Sequence, residues 1–213
     1  MAAARVSPTR MELLKLRKRI ALANRAYRLL KEKEEALIID FMNLLSEARE
    51  KREKLEEVIK GAFEKLLVAN MVMGSLGVRR ASLGLREAME IEVGSRNIMG
   101  VIVPVLKVRK AEIGVLESGY SIAETSTHLD ESKVAFEEVL SYIVSLAETE
   151  RALELLGREI RRTRRKVNIL EYIILPRLEA SAKEIEMKLE ELAREDYFRL
   201  KLIKRLVLSK RRP

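Results

Sequence analysis

The 213-residue chain has no cysteine and no tryptophan, one histidine, four prolines and only 4% aromatic residues. Without Cys there is no disulfide and no thiolate metal site. The lone imidazole, His128, cannot build a metal cluster by itself, and a nucleophilic Ser would find no other imidazole base. It stands in the polar stretch Thr125-Ser-Thr-His128, where surface exposure is the expectation. No apolar run approaches the ~20 residues that a membrane-spanning helix needs. The first residues lack the roughly 7–15-residue apolar core of a secretory leader. The expectation is a cytoplasmic chain, or one held at a membrane only through something else. Carboxylates are plentiful but scattered among Lys and Arg, whereas hydrolysis by paired acids needs a pocket. No catalytic residue, cofactor or metal site is therefore predicted.

What the chain does have is charge and helical periodicity. Charged residues make up 35% and the net charge is +9. Such a composition belongs to long helices rather than to a thick globular core, and it also suits a thermophile. The positive balance fits an anionic partner: nucleic acid, a membrane surface or an acidic protein.

The organising stretch runs from Val134 to about Ser209, with one glycine, Gly157, and one proline, Pro176. Leu153, Leu156, Ile160, Val167, Leu170, Ile174, Leu178, Ile185, Leu189 and Leu192 recur at helical spacing. Some 75 residues of helix would span roughly 110 Å, so the stripe needs a partner helix of similar length. The N-terminal arm offers one. Thr9 and Glu12 form a capping box. From Leu13 an alternating three–four seam runs to Ala69, interrupted only by Glu34, Lys51 and Lys65. Leu29, Ile38, Leu45, Ile59, Phe63, Leu66 and Leu67 widen it and suggest a second surface for a further partner. Pro176 removes a helical hydrogen bond, and a bend is expected there. The consecutive fours Leu170, Ile174, Leu178 predict local unwinding.

Between the arms lie seven of the nine glycines, from Gly74 to Gly119. Met89–Val93 and Val101–Val108 are β-prone, with Gly94–Gly100 read as their loop and Pro104 as marking an edge strand. Gly74-Ser-Leu-Gly77 with Arg79-Arg80 lacks the ending of a phosphate loop. Asp130 or Ser132 are candidate caps for the second arm. The predicted fold is mainly α. Residues 9–73 and 130–209 form an antiparallel two-helix coiled coil, and a Gly-rich segment, 74–129, carries a β-hairpin at about 89–108. With the ends aligned, partner numbers would sum to about 215. Arg161–Lys166 would then face Glu47, Glu50, Glu53, Glu56 and Glu57. Glu184, Glu186, Glu190, Glu191 and Glu195 would face Arg17, Lys18, Arg19, Arg25, Arg28 and Lys31. Both termini would share one basic tip, holding Arg5, Arg10, Arg199, Lys201, Lys204, Arg205, Lys210, Arg211 and Arg212. Weak charge pairs, rather than tight apolar contacts, are expected to serve it.

Three stretches carry a resemblance. Ser7-Pro-Thr-Arg-Met-Glu-Leu-Leu14, Ser95-Arg-Asn-Ile-Met-Gly100 with Val103-Pro104, and above all Arg164-Arg-Lys-Val-Asn-Ile-Leu-Glu-Tyr-Ile-Ile-Leu-Pro-Arg-Leu178 with Arg194-Glu-Asp-Tyr-Phe-Arg-Leu-Lys201 are similar to the D subunits of archaeal and vacuolar-type rotary ATPases. The similarity covers nearly the whole chain, and the length looks archaeal. It singles out Val167, Asn168, Leu170, Glu171, Tyr172, Pro176, Arg177 and Leu178 in the second arm, and Arg96, Asn97, Gly100 and Pro104 in the hairpin. It implies a non-catalytic central rotor shaft that couples ATP synthesis or hydrolysis to ion translocation. The implied partners are the catalytic A and B subunits around the tip, the small F subunit of the stalk and the C subunit above the membrane ring. The implied place is the cytoplasmic face of the membrane, with no direct insertion and no nucleic acid. The competing reading is a homodimeric coiled-coil scaffold whose basic ends bind nucleic acid or an acidic membrane surface.

Overall fold

The computed structural model describes residues 9–84, 89–110 and 125–210. Helix α1 spans Arg10–Leu83, strands β1 and β2 span Met89–Ile98 and Val101–Lys110, and α2 spans Thr127–Ile169. A five-residue π-helical turn, Leu170–Ile174, leads into α3, Leu175–Lys210. The chain divides into two compact units. The first joins residues 1–34 to 162–213; the second is residues 35–161.

In the first unit, α1 starts at a cap. The Glu12 amide donates to Thr9 Oγ1 at 3.2 Å, while the Glu12 carboxylate meets Lys15. Leu16 packs with Ala182 and Ile185, flanked by Leu13, Ile20, Leu178 and Leu189. Arg17 reaches Glu186 at 2.7 Å, and Arg164 reaches Glu34 at 3.7 Å. The helices are thus antiparallel, and partner numbers sum to about 200. This corrects the aligned-ends register of about 215. Arg17 does find an acid of the expected group, but in the run Arg161–Lys166 the acid that Arg164 meets is Glu34, outside the expected Glu47–Glu57 cluster.

Pro176 neither stops the helix nor breaks its seam. Leu175 donates its amide to Leu170 O, five residues back. The wider turn takes in one extra residue ahead of the residue that has no N–H to give. Val167 and Ala182, both buried, are fifteen residues apart, where a coiled-coil seam repeats after fourteen, four turns of ~3.5 residues. The π turn absorbs the surplus residue, and this is what the run of fours signals.

In the second unit, Ala48, Leu55 and Ala62 pack against Ala135, Val139 and Leu146. Short seam side chains let the two backbones approach closely. Buried positions on α1 fall at Ala48, Leu55, Ala62 and Ala69, seven apart, but Leu37 precedes Ala48 by eleven. The contact stripe changes from one seam position to the other within that step, because a straight helix drifts against a seven-residue repeat. Lys51, a seam breaker, is satisfied by Thr149 Oγ1 at 2.8 Å and Glu47 at 2.7 Å, and Arg52 pairs with Glu150 at 2.6 Å. α1 leaves helical geometry at Gly74 (φ 74°, ψ 157°), a left-handed conformation open to glycine. The start of α2 is capped by Ser126, whose backbone carbonyl and hydroxyl accept from the amides of Leu129 and His128, rather than by Asp130 or Ser132. His128 lies 3.6 Å from Glu131 in the first turn.

The hairpin is longer than its sequence suggests. β1 and β2 pair from Met89↔Lys110 to Ile98↔Val101, so Gly94–Ile98 is strand and the turn is Met99-Gly100 alone. Both turn residues have positive φ, 48° and 86°, as a two-residue hairpin turn of the matching twist requires. Asn97 Oδ1 accepts the Gly100 amide at 2.8 Å. The Leu106 amide points away from β1 and donates to Glu148 of α2 at 3.0 Å. Pro104 has the same parity, so its missing N–H lies on that outer edge and costs no ladder bond. Val103 is buried.

Two outcomes are expected. Deleting Ile173 together with Pro176→Ala should leave a regular helix with its seam in phase and a thermal midpoint within a few degrees of the parent. Deleting Glu179 should rotate every downstream seam residue by ~100° and lower the midpoint sharply; circular dichroism melts compare them. Glu148→Ala should speed hydrogen exchange at the Leu106 amide by roughly ten- to a hundredfold, the value of a bond to a charged acceptor.

Candidate interaction surfaces

The register decides what is covered. Arg10, the first residue of α1, lies level with about residue 190, so the rest of α3 extends past any helix of the chain described here. Residues 191–206 are all exposed. Their large apolar side chains, Leu192, Tyr197, Phe198, Leu200, Leu202, Ile203 and Leu206, spread over about 260° of the circumference at ~100° per residue. Arg194, Lys201 and Arg205 fill the remaining side, so the apolar surface is far wider than the stripe of a helix packed on one neighbour. Tyr197 is 68% exposed and Phe198 67%. The sequence expectation emphasised the charges of this tip and passed over its apolar residues. Reading the angular distribution instead of the seam alone would have found them.

Of the predicted tip cations, Arg199, Lys201, Lys204 and Arg205 are exposed on this overhang. Arg199 stands 3.6 Å from Glu195 and 3.7 Å from Asp196, exposed pairs of little energetic weight. Arg10 sits more than about two turns short of them. Lys210 is the last residue of α3, and Arg5, Arg211 and Arg212 lie outside the described residues.

The residues singled out in the second arm divide between two roles. Val167 is buried and Leu178 packs on the Leu16 cluster. Leu170 and Glu171 are half-buried, while Asn168, Pro176 and Arg177 are exposed. Tyr172 and Ile173 project from the π turn, 72% and 59% exposed. In the hairpin Arg96 is exposed, Asn97 and Gly100 make the turn, and Pro104 takes the outer edge.

A second apolar surface crosses the helices of the second unit. Phe63 meets Phe136 edge to face, centroids 5.5 Å apart. Leu67 follows Phe63 on α1, and Leu140 and Ile143 follow Phe136 on α2, all exposed. Phe63 and Leu67 are two of the positions that widen the apolar stripe of α1 beyond its seam. Electrostatics are local. Glu154 is held below the usual carboxylate range, chiefly by its hydrogen bond from Arg151, and Glu184 by its hydrogen bond from Lys188. Among the described residues no group of three or more His, Asp or Glu side chains could hold a metal ion. No described helix is long and apolar enough to cross a membrane.

These features define a class: antiparallel helical pairs with a lateral two-stranded hairpin and contact surfaces on their flanks. The family of ATP synthase D subunits matches residues 12–205, and the chain belongs to it. It is 47% identical over 206 residues to the D subunit of the A-type ATP synthase of Methanopyrus kandleri, covering 97% of this chain and 88% of that protein. It is 47% identical to that of Pyrococcus furiosus, covering 95% of each, and 43% identical to that of Methanobrevibacter smithii, covering 96% and 89%.

The exposed tip and the buried seam should separate by mutation. Leu16→Ala and Ile185→Ala should each destabilise the chain by about 2–5 kcal/mol. Tyr197→Ala and Phe198→Ala should each change it by under about 0.5 kcal/mol; urea unfolding measures both.

Proposed function

We propose that the chain is the non-catalytic central rotor shaft of an A-type ATP synthase. It couples ATP synthesis or hydrolysis in a head of A and B subunits to ion translocation through the membrane ring. The observation that carries this reading is the overhang of α3, a helix with large apolar side chains exposed over most of its circumference and nothing from the described chain upon it. A partner that wraps it, as a bearing holds a shaft end, would cover them. This refines the charge-only expectation for the tip. Apolar contact supplies the seat, while Lys201, Lys204 and Arg205 favour an acidic rim. Weak exposed pairs break as readily as they form, which suits a contact that must slide. The small F subunit of the stalk takes the surface of Phe63, Leu67, Leu140 and Ile143, and the C subunit holds the shaft above the ring. The protein works peripherally, at the cytoplasmic face of the membrane. Coupling follows because the shaft is not symmetric about its axis. Each site of the head meets a different face of it, so site occupancy and shaft angle bias each other.

The full chain, mixed with the A–B head, should bind one per head. Tyr197→Ser with Phe198→Ser and Leu202→Ser should weaken that binding by at least tenfold, about 1.4 kcal/mol, while the free chain stays folded. Changing Lys204, Arg205, Lys210, Arg211 and Arg212 to Glu should weaken it at low salt. The chain alone should turn over no ATP. A head that ignores the chain, or nucleotide turnover by the chain alone, overturns the reading.

A further inference from the structure

The charge of this protein is sharply divided. Residues 1–34 and 162–213 hold 25 Lys and Arg against 11 Asp and Glu, a net +14, while residues 35–161 hold 17 against 22, a net −5. The excess within the first unit is not confined to its tip, where residues 191–213 hold eight cations and three acids. The level between the two anchoring pairs is basic as well. Arg17–Glu186 and Glu34–Arg164 bracket a stretch in which residues 25–35 of α1 run beside the π turn and its flanks. α1 brings Arg25, Arg28, Lys31 and Lys33 to this level. The other strand of the pair brings Arg162-Thr-Arg-Arg-Lys166 and Arg177. Nine cations stand there against the four acids Glu32, Glu34, Glu35 and Glu171, a net +5. The stretch covers about 23 Å of helix axis, under three screening lengths of ~8 Å at physiological salt, so neighbouring charges reinforce one another.

Two further observations mark this girdle as a contact. Its exposed apolar side chains, Leu29, Ile169, Tyr172 and Ile173, lie among the cations, and the turn that projects two of them is the π turn. Interrupted helical turns of this kind recur at functional positions. Arg and Tyr around aliphatic side chains is the composition of a protein–protein contact. A nucleic-acid surface is more uniformly polar, and single-strand binding needs more aromatic platforms than Tyr172 and Tyr27, which already carries Lys31 at 5.8 Å.

We infer that this girdle is an electrostatic docking surface separate from the basic end of the chain, and that it receives a carboxylate-rich protein surface of the assembly in which the chain turns. The inference rests on the shaft reading and names the partner's chemistry at one level of it. Like charges held together by the fold are relieved when acidic groups approach, so attraction is strongest at low ionic strength and steers encounter. The apolar residues between the cations give the contact a part that salt does not weaken.

The test compares the full-length chain with two triple variants, Arg25→Gln/Arg28→Gln/Lys31→Gln and Arg164→Gln/Arg165→Gln/Lys166→Gln. Gln keeps the helix propensity of the residues it replaces. A charge-matched control, Lys54→Gln/Lys60→Gln/Lys65→Gln, changes the net-acidic unit instead. Binding to the A–B head is titrated across salt concentrations, with circular dichroism to verify folding. Each girdle variant should bind about tenfold or more weakly at low salt, with a shallower salt dependence, and the control should stay within about twofold of the parent. Folded girdle variants that bind with the parent's affinity and salt slope overturn the girdle while leaving the shaft intact. A parent chain that does not bind the head at any salt overturns both. Girdle variants that lose binding to RNA or to anionic phospholipid vesicles, yet keep it to the head, also overturn the proposal.

Discussion

Two helices with apolar stripes have only each other to hide against, and here they must do it antiparallel. Leu16 against Ala182 and Ile185, and Ala48, Leu55 and Ala62 against Ala135, Val139 and Leu146, are the contacts on which everything else hangs. Their axial offset is set by the whole seam together. The cross-helix pairs Arg17–Glu186 and Arg52–Glu150 are exposed and individually worth under about 1 kcal/mol, so they ride on the packing rather than dictate it. The partly buried Lys51, satisfied by Glu47 and Thr149, is the exception. Out of register its ammonium would lose Thr149 where water is scarce, keeping only Glu47 of its own helix, so it opposes slippage more than it adds stability.

From that offset follow the surfaces. With α1 starting at Arg10 among the described residues while α3 continues, a stretch of α3 exposes apolar groups over most of its circumference. The same offset sets the run Arg162–Lys166 beside Glu34, one step beyond the level of Arg25, Arg28, Lys31 and Lys33. Membership of the D-subunit family gives these surfaces a setting, an assembly that can supply what covers them. The hairpin belongs to the same economy of contacts. Its outer edge, otherwise an exposed row of amides, is blunted by Pro104 and by the Glu148 carboxylate on the Leu106 amide.

The faces of the helices were legible in the sequence, and their relative slide was not. Spacing at three and four fixes which side of α1 is apolar, but a seam repeated every seven residues accepts many offsets, and aligning the ends is not a force. Charge matching misled for the same reason: runs of Glu and Arg are long enough to find partners at several offsets. The cap at Thr9, the proline at an outer edge and the disturbance before Leu178 could be read because each is local chemistry. The π turn itself was only half legible. The run of fours announced a surplus residue, while the way the backbone absorbs it depends on the helix beside it. Gly94 looked like the start of a loop, yet it pairs with Val105 within the ladder. Cross-strand bonding outweighed its weak strand propensity. The tip was under-read because periodicity rewards residues on one side, and apolar groups spread over most of a circumference do not register as a stripe.

The alanines of the second unit carry one more consequence. Helices that meet through Ala48, Ala62 and Ala135 can lie near the ~8 Å end of helix spacing, where bulky seams sit nearer ~10 Å. That difference is one of calibre. Larger side chains at these positions would push the two helices apart and shift every surface they carry, so a core substitution that strengthens the isolated protein would still change its gauge.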